Sequence, residues 1–367
     1  MRSSIYGNRY ASVRWAGSFL VLLSIVATSE TAKGQNSLQE LVSASKKEGR
    51  LVLMSGPSTW GFERGVKALE QAFNQKFGLT TQVRFVPGPD MGRMAASVLD
   101  EQRAGQKSST DILASGLDHV LRLIKAETLE SVPWNKYFPE LGGERVEFGG
   151  QIVQFYTQIY GGLYNTKMLP DAGKIRRMDD LLNPKWKGVM AAPPYAGGPA
   201  RAVVAVPGLD LERMKNFYRR YNSLLAGFIR CGEEERIASG EFLLFFPACD
   251  ILSSIVEAKS KRMPLGGFVP EDFAAIEYKY WSVPRNAPNP STAKLWVGFA
   301  LSREGNRVYE QHSHNSSHLI EGSEASRYVN EMTRKGIRFT SLRATEQQHG
   351  LEAILQVRKE IEDILKR

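Results

Sequence analysis

Apolar residues along this chain fall into two patterns, short continuous runs and stripes at helical spacing. Leu51-Val52-Leu53-Met54 is an uninterrupted apolar run, the mark of a parallel strand buried on both faces. Ser55-Gly56-Pro57-Ser58-Thr59 breaks it. Phe62, Val66, Leu69, Phe73 and Phe77 then recur at i, i+4, i+7, i+11 and i+15, one face of a helix. Gly78 stands where that helix should end. A helix over Ser37–Glu48 precedes the first strand. After it come a strand over Thr81–Val86, a helix over Met91–Ala104, a strand over Asp111–Ala114 and a helix over Leu117–Ala126. This alternation predicts an α/β architecture with a parallel sheet.

The second half continues in the same style. Strands are predicted over Gln151–Leu163, Val189–Ala192, Phe242–Phe246 and Glu277–Val283. Helices are predicted over Asp179–Trp186, from Ala200, and over Leu211–Leu225, Ile251–Ser260, Ser291–Leu301 and Arg303–Gln311. The segment Glu346–Lys366 reads as a closing amphipathic helix. No internal repeat or long low-complexity stretch interrupts the pattern.

The first 34 residues differ from the rest. Arg2, Arg9 and Arg14 precede an apolar run from Trp15 to Ala27, and small residues follow at Ala27-Thr28-Ser29 and Ala32-Lys33-Gly34. That is the layout of a cleaved export signal, and the run is too short to span a bilayer as a helix. Residues 1–34 are therefore expected to be removed and the remainder to be periplasmic. The chain has 367 residues and a net charge of +9, but the basic residues are scattered among acidic ones, as on a solvated face. Clustered cations with interleaved aromatics, the footprint of nucleic-acid binding, are missing. Cys231 and Cys249 lie 18 apart; an exported chain tolerates a bridge between them, but spacing does not place their Cα atoms.

Three segments carry a family likeness. They are Leu163–Lys167 followed by Met178–Gly188 (MDDLLNPKWKG), Ala238-Ser239-Gly240-Glu241, and Ala293–Asn306 (AKLWVGFALSREGN). In order and spacing they resemble the family-1 extracellular solute-binding proteins of ABC importers, in the ferric-iron/thiamine/phosphonate-type branch. The resemblance runs from about residue 40 to about 340. It implies a type II periplasmic-binding-protein fold, two α/β lobes joined by two crossing hinge segments with the ligand between them. Mapped onto this chain, lobe one is 37–150 plus 283–335 and lobe two is 151–282. The crossings lie near Gln154–Tyr160 and Tyr278–Val283, and the 336–367 region packs on one lobe. The implied partners are a small-molecule ligand and a membrane permease with its ATPase; a monomer without cofactor is expected.

In open sheets, ligands bind beyond the carboxyl ends of the strands, where helix N-termini present free N–H groups. Three junctions offer small or hydroxyl residues there: Ser55, Gly56, Ser58 and Thr59; Ser115 and Gly116; Gly197 and Gly198, with Arg201 close behind. An arginine adds a forked, charge-assisted contact to an anion. Trp60, Tyr195 and Trp281 are candidate cleft walls, and Asp250 completes the expected set. Structural roles compete: Ser58 or Thr59 as a helix cap, the glycines as turn residues, Trp60 and Trp281 as core. Iron-binding members of the branch use a histidine, a glutamate and paired tyrosines at places held here by Ser58, Gly116 and Phe246-Pro247-Ala248-Cys249-Asp250. Ferric iron wants hard, charged oxygen donors, so a small organic anion of carboxylate or phosphonate type is the expected ligand. Ferric iron, thiamine and a ligand-presenting sensory role are the alternatives. His312, His314 and His318 form a possible surface metal site, expected to be an exposed loop away from the cleft. No HExxH, GxSxG, P-loop or GxGxxG motif marks an enzyme.

Overall fold

A computed structural model describes residues 37–88 and 90–366, and the export signal expected at 1–34 lies outside them. The strands are β1 (Arg50–Ser55), β2 (Gln82–Pro87), β3 (Leu113–Ser115), β4 (Val146–Glu147), β5 (Ile152–Ile159), β6 (Gly162–Asn165), β7 (Met190–Ala192), β8 (Leu225–Phe228), β9 (Leu244–Phe245), β10 (Leu265–Phe268), β11 (Ala275–Ser282) and β12 (Thr340–Leu342). The α-helices begin with α1 (37–48). They continue with α2 (Phe62–Phe77), α3 (Met91–Arg103), α4 (Leu117–Lys125), α5 (Trp134–Tyr137), α6 (Gly197–Ala205), α7 (Leu211–Asn222), α8 (Glu235–Ala238), α9 (Ile251–Lys261), α10 (Pro290–Leu301), α11 (Arg303–Ser313), α12 (Glu324–Arg334) and α13 (Leu351–Leu365).

The apolar stripe of α2 buries Val66, Leu69 and Phe73. Phe62 departs from it: at the helix entry it adopts φ +61° and is 59% exposed. Gly78, at φ +63°, ends α2 by donating its N–H to the Asn74 carbonyl, the left-handed cap that glycine adopts without steric cost. Strand β1 pairs in parallel with β2, Leu51 beside Val83. Together with α2, α10 and α11 they enclose one apolar cluster, which includes Leu51, Leu53, Phe73, Trp296 and Phe299.

Lobe two is built on a five-stranded sheet in the order β10-β6-β9-β7-β8. The alternation predicted parallel pairing, but the sheet is mixed. β9, β7 and β8 run parallel, while β6 is antiparallel to both β10 and β9. The strand expected over Gln151–Leu163 is two strands. At Gly161 a Cβ would lie 2.3 Å from the Phe268 carbonyl oxygen, so only glycine lets the chain turn there from the crossing into the lobe. The helix expected at Asp179–Trp186 is two 3-10 turns, because Pro184 lacks the N–H needed to continue it.

The long strands β5 and β11 pair antiparallel, Glu277 opposite Gln158 and Lys279 opposite Tyr156. The far end of β11 also pairs with β3, Trp281 beside Ala114. These two strands join the lobes. The chain passes between the lobes again after α11: Ala325, Tyr328, Val329 and Met332 of α12 pack with Leu163, Phe245 and Ile251 of lobe two. Helix α13 lies on α6 and α7 and reaches α4 of lobe one. Its Ile354, Val357 and Ile361 share one apolar cluster with Val120, Leu121 and Ala200. Among the described residues, no helix is long and apolar enough to cross a membrane.

Candidate functional site

A cleft of about 400 Å³ opens between the lobes, its base formed by the crossing strands. Tyr156 and Gln158 alternate on β5, Tyr160 follows, and Lys279 comes from β11 opposite Tyr156. A strand sends every second side chain to one face, and directly paired residues share that face, so Glu277 lies beside Lys279 at the same base. Lobe one contributes Ser58, Thr59 and Met91, and residues Ser313, His314 and Asn315 at the end of α11. Lobe two contributes Pro193–Arg201, the Cys231–Glu234 loop and the segment Pro247–Glu257 around the start of α9.

Charged groups are concentrated at the base. The Arg201 Nε donates to the Tyr160 hydroxyl at 3.0 Å and lies 3.0 Å from Glu277 Oε2. Its Nη1 donates to Asp118 Oδ1 at 3.1 Å. Tyr160 donates to the same Glu277 oxygen at 2.6 Å, and Lys279 donates to the other one. Glu277 and Asp118 are buried, at 0% and 1% exposure. Burial by itself would raise the Glu277 pKa, but Arg201 and Lys279 outweigh it and hold the carboxyl below its ordinary range. Asp118 behaves likewise: against burial, Arg201 and then His119 and Lys279 bring it to about 2. Burial lowers the Lys279 pKa, and Arg201 adds to that while Glu277 opposes it. Such a network fixes its members because breaking one pair strands a buried charge. Arg201 and Lys279 are thereby held side by side at the cleft base.

Of the residues expected at the site, Ser58, Thr59, Tyr195, Gly197, Gly198, Arg201 and Asp250 line the cleft. Ser58 and Thr59 cap no helix, since Gly61 precedes α2 and no side chain caps it. Gly197 and Gly198 form the first turn of α6. Asp250 caps α9, accepting from the Leu252 N–H at 3.1 Å, and burial raises its pKa to about 6. The other candidates lie elsewhere. Ser55 is buried with its hydroxyl on the Gly56 carbonyl, and Gly56 caps the 3-10 turn Pro57–Trp60. Ser115 is buried in β3. Gly116 lies behind the base, where a Cβ would come 3.0 Å from Lys279 Nζ. Trp60 and Trp281 are core, not walls: their rings stack 4.2 Å apart, and Phe155 stacks on Trp281 at 4.4 Å. Their large apolar faces gain more from this stacking than from a wet cleft.

The histidine segment is also placed differently from the expectation. His314 lines the cleft, so the loop does not lie away from it. The three histidines do not converge. His312 packs against Gly61 and Gly65, while His318 is half-buried beside Thr157 Oγ1 at 2.6 Å, partial burial lowering its pKa to about 4. Among the described residues, no three His, Cys, Asp or Glu side chains could hold a metal together. Cys231 and Cys249 form a disulfide with Cα atoms 5.6 Å apart, on the lobe-two wall. Tyr156, Gln158, Tyr160, Glu277 and Lys279 went unnoticed in the sequence. The available signal was polar alternation, Glu277 and Lys279 within the otherwise apolar or aromatic run of β11.

No protein-family model and no curated protein matches the chain. Solved structures do. Periplasmic binding protein AfuA from Actinobacillus pleuropneumoniae, with fructose-6-phosphate bound, matches with a TM-score of 0.64 and 19% identity, covering 87% of this chain and 99% of that one. The substrate-binding protein of an ABC transporter from Agrobacterium tumefaciens matches at 0.65 and 13%, covering 86% and 94%. This chain has the two-lobed type II periplasmic-binding-protein fold. Iron-bound HitA from Pseudomonas aeruginosa is a further binding-protein match at 0.60 and 17%, covering 77% and 97%. Iron in one of these structures and a sugar phosphate in another mean that the fold does not by itself assign a ligand.

Proposed function

We propose that this chain is a periplasmic solute-binding protein that captures a small organic acid between its lobes and delivers it to the permease of an ABC importer. The observation that carries this reading is the pairing of Arg201 and Lys279 at the cleft base. Beside them the first-turn glycines of α6, Gly197 and Gly198, offer backbone N–H groups and the positive end of a helix. A forked guanidinium, an ammonium and a helix N-terminus together suit an acidic head group. Two lobes joined only by narrow crossings can close around a solute, and that closure is what a permease can read. Ferric iron suits the site less well. The Tyr160 hydroxyl is already committed to Glu277 and Arg201, and Arg201 and Lys279 would repel a trivalent cation.

Thermal-shift screening against carboxylates, phosphonates, thiamine and Fe³⁺ tests this, because a ligand that binds only the folded state raises its melting temperature. Organic acids should raise it in proportion to the logarithm of their concentration, and Arg201→Met should abolish the shift. A rise with Fe³⁺ alone would overturn the organic-acid reading.

A further inference from the structure

Building on the organic-acid reading, we infer that the solute carries one carboxylate and no second negative charge. The charges at the cleft base carry this. Arg201 and Lys279 contribute two positive charges, and Glu277 and Asp118, in contact with them, contribute two negative ones. These four side chains sum to zero. Arg358 lies 3.9 Å from Asp118 but is 38% exposed, so solvent screens it. The first turn of α6 adds roughly half a positive charge. His119 adds none at neutral pH, since burial, more than the opposing Asp118, lowers its pKa. The base therefore offers an incoming anion only about half a net positive charge, enough to favour one carboxylate and too little to balance a second.

The rest of the lining makes a second negative charge costly. No other lysine or arginine is among the described residues that line the cleft, while Glu234, Asp250 and Glu257 all do. A phosphonate dianion or a dicarboxylate would bring a charge that meets no free cation and faces these three carboxyls. A single carboxylate can instead take the outward edge of Arg201 and the remaining donors of Lys279, and the rest of the solute can be neutral or cationic.

Calorimetric titration with matched pairs tests the inference: glutamine against glutamate, gluconate against glucarate, and 4-aminobutanoate against 3-aminopropylphosphonate. Within the pair that binds, the singly acidic member should be tighter by about tenfold, the factor for one unit charge about 10 Å away at an effective dielectric near 20. Glu277→Gln and Asp118→Asn each add one net positive charge to the base, from β11 and from α4. Each should shrink that preference by a similar factor, which a purely structural role would not do. Equal or tighter binding of the doubly charged member overturns the inference and leaves organic-acid capture standing. So does an unchanged preference in both folded variants. Silence of all six probes, with a thermal shift only for Fe³⁺ or thiamine, overturns the organic-acid reading and this inference with it.

Discussion

Replacing Arg201 with methionine keeps most of the side-chain volume and removes the charge. The guanidinium lies 3.0 Å from Glu277 and 3.1 Å from Asp118, both buried. Without it Glu277 keeps Lys279 in contact, but Asp118 keeps only the more distant charge of Lys279, a His119 at 3.6 Å that is neutral at pH 7, and the half-exposed Arg358 at 3.9 Å. Stranding a buried carboxylate in this way costs about 3–5 kcal/mol. The effect should depend on pH with a definite sign. Asp118 falls from an ordinary 3.8 to about 2 in the folded protein. A lowered carboxylate stabilises the fold above its unfolded pKa, and that contribution, about 2 kcal/mol, is lost as the pH falls from near 4 through 2. In Arg201→Met the Asp118 pKa returns toward or above its ordinary value, so the variant lacks that contribution at every pH. Urea unfolding followed by tryptophan fluorescence at pH 7, 5, 4 and 3 reads both effects. The stability gap should be about 3–5 kcal/mol at pH 7 and should narrow below pH 4, with the urea dependence unchanged. A gap under about 1 kcal/mol at pH 7 would refute the reasoning, and so would a gap that stays constant down to pH 3.

Other expectations follow from single features. Trp281→Ala removes the ring stacked between Trp60 and Phe155 and should cost about 3–5 kcal/mol in denaturant unfolding. Gly298→Ala would place a Cβ 1.8 Å from the Phe138 ring; a melting temperature lowered by several degrees checks the overpacking, worth about 1–3 kcal/mol. Changing Cys231 and Cys249 together to serine opens the 18-residue loop between them and should lower stability by about 3 kcal/mol, measured against the oxidised wild type. Asp250 has a pKa raised to about 6 by burial, so its contribution is greatest below pH 3.8 and is lost as the pH rises through 6. Asp250→Asn, which can still cap α9, should therefore flatten the stability profile between about pH 4 and 6.

Local pattern was enough for much of this protein. Continuous apolar runs marked β1 and β7, the five-residue stripe marked α2, and Gly78 marked its end, because burial on both faces or on one helical stripe leaves a periodic trace in a single segment. The Gly197-Gly198 turn and Arg201 were visible as chemistry that a cleft could use. What the sequence could not show depends on partners far along the chain. Nothing near Trp60 tells that Trp281, more than two hundred residues on, will stack against it and take it into the core. Glu277 and Lys279 look like misplaced charges in a buried strand until Arg201 and Tyr160 arrive from lobe two and its entrance, and Asp118 from lobe one. Their cost of burial is offset only by one another, so their role exists only once the lobes are assembled. The histidine loop lies on the cleft for the same reason: the chain passes between the lobes once more beyond α11, and which lobe covers which segment is decided by packing between distant residues, on which local periodicity is silent.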